Sequence, residues 1–89
     1  MNNNFDNKLT VILSNNQTAN IYVLDIIESH VYNKTFIIYR LEDNLKDVHA
    51  AVLSEYHDYY SLETIKNKDE LNYINNEINR VCLGVKNGL

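Results

Sequence analysis

The stretch VLSEYHDYYSLE, Val52 to Glu63, decides how this chain folds. With a two-residue turn at His57–Asp58, Tyr56 falls opposite Tyr59, Glu55 opposite Tyr60, Ser54 opposite Ser61 and Leu53 opposite Leu62. Each pairing matches side chains that stabilise a cross-strand ladder, so the stretch reads as a β-hairpin. The imidazole and carboxylate of His57 and Asp58 then sit at a solvent-facing tip. Their adjacency is turn chemistry and does not mark a catalytic pair.

Upstream, the alternation continues. Lys8 to Leu13 carries Leu9, Val11 and Leu13 at period two, and SNNQ follows as a turn. Asn15 and Asn16 at its centre tolerate positive φ, which places Leu13 opposite Thr18, Val11 opposite Asn20 and Leu9 opposite Tyr22. The second strand, Thr18 to about Ser29, is apolar on both faces, with Ile21, Val23 and Ile27 on one and Tyr22, Leu24 and Ile26 on the other. Such a strand is expected to be central and covered on both sides. A turn centred on Tyr32–Asn33 sets Ser29 against Phe36, Ile27 against Ile38, Ile26 against Tyr39 and Asp25 against Arg40, the last an ion pair across the ladder. EDNLKD, residues 42–47, is the long polar connection where the chain changes direction, and strands of about Val48–Tyr56 and Tyr59–Ile65 follow.

Beyond Ile65 the period switches. Leu71, Ile74, Ile78 and Val81 recur at helical spacing, with Glu70, Asn72, Asn76, Glu77 and Arg80 mostly on other faces. Asn67 and Glu70 have the spacing of a capping box, Asp69 adds negative charge to the first turn, and Gly84 stands where a helix would end. The expected fold is α+β: an antiparallel meander of about five strands, with hairpins at 15–16, 32–33 and 57–58, and one C-terminal helix over about 68–83 packed on the sheet. Residues 1–7 and 84–89 are expected as tails of a single domain over 8–83, the first of them disordered.

Composition narrows the function classes. A chain of 89 residues buries roughly 60–65% of its unfolded surface, so every sizeable apolar side chain is needed in the core. Twelve acidic residues against eight basic give a net charge of −4. The cations are scattered, which gives counterion release little to work with and disfavours nucleic acid. The single cysteine, Cys82, forms no internal disulfide, and MNNNFDNK has neither an apolar signal core nor a lipidation box. No apolar run has the length of a membrane span. A cytoplasmic protein without membrane association is expected.

VLDII at Val23–Ile27, YNKTFIIYRL at Tyr32–Leu41 and YSLETIKNKDEL at Tyr60–Leu71 together resemble the YrzB-like family, small uncharacterised proteins of low-GC Gram-positive bacteria. The resemblance covers most of residues 8–83 and implies an α+β fold with no catalytic residues to carry over. Two departures stand out: the chain is less acidic than that family, and Asn33 and Asp58 stand near its glycine-marked turns. Both residue types enter the left-handed region readily, so such turns survive the change.

The chemistry-bearing residues do not converge. Metal ligation would draw on His30, His49, His57, Asp58 and Cys82, but His49 and His57 lie about 25 Å apart if the strand is extended. Cys82 falls near the helix C-terminus, where the dipole disfavours a thiolate. Glycine-rich phosphate loops are absent, and Glu42–Asp43 and Asp69–Glu70 have solvated or capping roles. No catalytic residue, cofactor or metal is expected. Seven tyrosines remain; Tyr22, Tyr39 and Tyr60 read as half-buried strand residues with a wet hydroxyl. The leading expectation is a small non-catalytic module that binds a protein partner or itself through a tyrosine-bearing sheet face or an open sheet edge. Tyr56, Tyr59 and Tyr60 form the candidate patch. A nucleic-acid-associated accessory protein is the alternative, and an enzyme built on Cys82 with His49 or His57 is a third reading.

Overall fold

Three hairpin turns rest on residues held at positive φ, and none of them is glycine: Asn16 (68°), Asn33 (54°) and His57 (55°). In the computed structural model, which describes residues 7–87 and side chains as far as Arg80, they link β1 (Lys8–Ile12) to β2 (Thr18–Ser29), β2 to β3 (Lys34–Leu41), and β4 (Asn44–Tyr56) to β5 (Tyr59–Glu63). Helix α1 (Lys68–Asn87) completes the α+β fold. Sequential strands pair antiparallel, as a meander requires.

The last hairpin has the expected register throughout, from Tyr56↔Tyr59 to Leu53↔Leu62. Its positive φ falls on His57 and not on Asp58, the φ pattern that distinguishes a type II′ turn from type I′.

The other two hairpins differ from expectation. In the first, Leu13 N donates to Gln17 O at 2.7 Å and Asn16 N to Leu13 O at 2.9 Å, so the loop holds three residues, with Asn16 in the left-handed position. That moves the register by one, to Leu9↔Ile21 and Val11↔Ala19. Apolar side chains then face apolar ones; the two-residue turn would have set Val11 against Asn20. In the second hairpin Ser29 pairs with Lys34, Ile27 with Phe36 and Tyr22 with Arg40. Asp25 faces Ile38, so the expected Asp25–Arg40 pair does not form, and Arg40 Nη1 donates instead to the Leu45 carbonyl at 2.9 Å.

Most of this shift arises in the loop, which holds four residues, 30–33, where a two-residue turn was expected, and a bulge adds one residue more. Between Val23↔Tyr39 and Asp25↔Ile38, β2 carries one extra residue, Leu24. One inserted residue reverses which face every later side chain presents. Ile21 and Val23 therefore share the inner face with Ile26, while Ile27 joins the outer one, a different grouping from the unbroken alternation read in the sequence. The EDNLKD connection is also more structured than expected. Leu41 pairs with Asn44 across a tight turn, and then Leu45–Val48 of β4 bow out opposite Arg40 alone before Tyr39 meets His49.

The meander closes on itself. Val11 pairs with Tyr60 and Ile12 with Ser61, β1 running parallel to β5, so the five strands form a closed barrel. Closure removes most of the open edge expected at the ends of the meander. It also creates two separate apolar interiors. Val11, Ile21, Ile37, Tyr39, Ala51 and Leu62 fill the barrel. Phe36, Ile65 and Ile74, with Ile27, Tyr32, Ala50, Val52, Tyr73 and Ile78 around them, form a second core between the outer barrel wall and α1. Tyr32, Phe36 and Tyr73 meet there as a ring cluster with centroids 5.7–6.3 Å apart.

Asn67 caps α1 as its position implies, its Oδ1 accepting from Asp69 N at 2.8 Å and from Glu70 N at 3.2 Å. The buried stripe differs from the expected one. Ile74, Ile78 and Tyr73 face the barrel, whereas Leu71 is exposed and Glu70 is buried. Both Glu70 carboxylate oxygens accept from Lys34 Nζ, at 2.9 and 3.1 Å, so the acid reaches back to the second hairpin. The helix continues past Gly84 to Asn87. A helical glycine costs about 1 kcal/mol relative to alanine, too little to end a helix unaided, and the chain has no proline to enforce a stop. The expected contributions of Val81 and Cys82 lie outside the described side chains, as do residues 1–6 of the expected tail; Asn7, its last residue, accepts from Val23 N at 2.8 Å.

Candidate interaction site at the β4–β5 hairpin

Alternation along a strand puts neighbouring residues on opposite faces, and this divides the expected tyrosine patch. Tyr56 and Tyr59 are cross-strand partners on the outer face, 57% and 41% exposed. Their rings meet edge to face at 5.6 Å, and the His57 ring packs against Tyr56 at 4.4 Å. Tyr60 pairs with Glu55 and turns inward, packing against the barrel core. The outer patch is therefore Tyr56, Tyr59 and His57, with Tyr60 on the opposite side of the same hairpin.

The pair borders a groove of about 1010 Å³ that runs over the outer face of β4 and β5. Ile12 and Leu13 wall it on one side and Asn67 at the start of α1 on the other, with Ser54 and Ser61 in its floor. The Lys34–Glu70 ion pair fixes its far end. Apolar rings beside hydroxyls and a charged end suit an amphipathic protein surface better than a small reactive substrate.

The histidines take three unrelated positions. His30 lies in the exposed β2–β3 turn, His57 at the hairpin tip, and His49 points into the barrel, where its ring stacks on Tyr39 at 5.5 Å with its Nε2 buried and without a partner among the described residues. Burial raises the Tyr39 phenol above its ordinary pKa. Among the described residues no group of three or more His, Cys, Asp or Glu side chains could hold a metal ion. No helix among them is long and apolar enough to cross a membrane.

One arrangement had no signal in the linear sequence. Lys8, Tyr22 and Arg40 line up across β1, β2 and β3, a phenol between two cations. Glu42 partly neutralises the row: Lys8 Nζ lies 2.8 Å from Glu42 Oε2, and Asn20 Nδ2 donates to Oε1 at 3.2 Å. These hydrogen bonds, that from Lys8 first, hold the Glu42 carboxyl below its usual range. Only pairing registers bring such residues together, so their separation of 14 and 18 positions hides them.

Comparison with protein-family models, with curated proteins and with solved structures returns no match.

Proposed function

We propose that this chain is a small non-catalytic interaction module that binds a protein partner through the outer face of its β4–β5 hairpin. The observation that carries the reading is the Tyr56–Tyr59 pair, two large rings left in solvent beside a groove in a domain too small to leave apolar area exposed without cost. Tyrosine supplies contact area at low conformational cost and dominates many interface hot spots. A cytoplasmic setting and the YrzB-like kinship belong to the same proposal, the latter resting on the strand patterns quoted above.

The test is capture of partners by the immobilised chain from a cell extract, in parallel with a Tyr56→Ala/Tyr59→Ala variant and a Leu71→Ala control that alters an exposed apolar residue elsewhere. A partner retained by the native chain and the control but lost by the double variant supports the reading. Equal capture by all three defeats it.

The Lys8–Tyr22–Arg40 row favours a second reading, a nucleic-acid-associated accessory protein, because a phenol between cations can stack a base while they meet phosphates. Titration of labelled single strands decides: phosphate-driven binding weakens steeply with salt and with Arg40→Gln, and absence of binding at low salt excludes it.

A further inference from the structure

Closure of the barrel leaves one mouth with an unusual lining. The Leu24 bulge turns Ile26 and Glu28 toward the interior, where they meet Leu9, Leu53, Glu55 and Tyr60 around a cavity of about 510 Å³. Ile26 is 50% exposed although it sits on the inner face, so the apolar floor is open to solvent. Among the described residues no cation or hydrogen-bond donor engages the carboxylate of Glu28 or Glu55; Lys8, which lines the same cavity, is paired with Glu42. Two unpaired carboxylates alone would be a solvated rim. Set around an apolar cup with a phenol ring in its wall, they match a ligand that is apolar along its length and cationic at its end.

We propose that this mouth receives an arginine or lysine side chain from a partner protein, its aliphatic stem packed on Ile26 and Leu53 and its cationic head between Glu28 and Glu55. Arginine fits best, because a planar guanidinium can engage two carboxylates at once and can lie against the Tyr60 ring. The site is on the opposite side of the β4–β5 hairpin from Tyr56 and Tyr59 and does not depend on the function proposed for them.

The experiment is an NMR titration of the full chain with butylguanidinium, with a blocked Gly-Ser-Arg-Ser-Gly peptide, and with butanol as a stem without a head. Saturable shifts at Ile26, Glu28, Leu53 and Glu55 are expected for the first two, with the peptide binding at least as tightly. Glu28→Gln/Glu55→Gln should weaken both by about tenfold or more, while Tyr56→Ala/Tyr59→Ala leaves them unchanged. Butanol binding as well as butylguanidinium, an unchanged affinity in the double glutamine variant, or binding of the free cation without the peptide each overturns the proposal. Contacts between the Phe5 ring and the Ile26 methyls in the free chain would overturn it too, since the cup would then be filled from within.

Discussion

Replacing Lys34 by methionine isolates the interaction that fastens α1 to the second hairpin. Lys34 Nζ holds both oxygens of Glu70, whose residue is only 5% exposed, while the Lys34 side chain remains 43% exposed. Methionine keeps most of the aliphatic stem, so the change removes charge and hydrogen bonds more than packing. What it leaves is a buried carboxylate without its cation. Hydrogen bonds to charged groups contribute about 1.5–3 kcal/mol and breaking a fully buried pair costs about 3–5. With one partner partly in water, the expected loss is about 2 kcal/mol, or roughly 10 °C in midpoint for a domain of this size. The decisive measurement is the sign of a second step. Adding Glu70→Gln to Lys34→Met removes the stranded charge while keeping the side-chain volume, so the double variant should recover about 1 kcal/mol relative to Lys34→Met alone. Urea unfolding with an unchanged slope reads both steps. A Lys34→Met variant within about 0.5 kcal/mol of the parent, or a double variant less stable than Lys34→Met, refutes the assignment of this pair as the helix fastening.

Three further outcomes follow from the two-core architecture. Ile74→Ala, which empties the centre of the core between barrel and helix, should cost about 2–5 kcal/mol in urea unfolding, whereas Leu71→Ala, on the exposed side of α1, should cost less than about 1. His49→Phe keeps the ring stacked on Tyr39 and removes a buried nitrogen with no partner, so it should raise the thermal midpoint by about 5 °C, corresponding to roughly 1 kcal/mol. Because burial raises the Tyr39 pKa, the unfolded chain loses this proton before the folded one does. The stability it contributes is complete below the ordinary phenol value near about 10 and is lost as pH rises from there through the folded value; Tyr39→Phe should flatten this alkaline loss in a series of unfolding curves.

What the sequence made legible was local. The hairpin at His57–Asp58 could be read residue by residue because its pairings all lie within twelve positions and a two-residue loop permits few registers. The cap at Asn67 was equally plain, since its partners are Asp69 and Glu70. Registers failed where extra residues entered without a glycine to announce them: the third loop residue at Asn16, the four-residue loop 30–33, and the bulge at Leu24. A strand apolar on both faces gives no signal of such an insertion, because either face satisfies the hydrophobic pattern. The helix stripe went astray for a related reason. Leu71 is apolar and Glu70 is not, but the hairpin lysine that makes a buried carboxylate tolerable is 36 residues away.

The candidate site was hidden by the same long-range pairing. Read as an open meander, the β4–β5 hairpin has one wet face, and three tyrosines crowd it. Parallel closure of β5 on β1 gives the hairpin an inside as well as an outside. Tyr60 then belongs to the barrel with Leu53, and Glu55 rises at the mouth beside them. Tyr56 and Tyr59 remain outside, between the first hairpin and the start of α1. The strand pair thus presents two chemically different surfaces, aromatic and hydroxyl-bearing on one side and apolar with a carboxylate at its rim on the other. A partner engaging both would bring an aromatic or apolar patch to the outer groove and a cationic side chain over the rim. Because residues 55 and 56 point in opposite directions, substitutions at adjacent positions should separate those two contacts, and a single continuous interface on one face predicts that they cannot be separated.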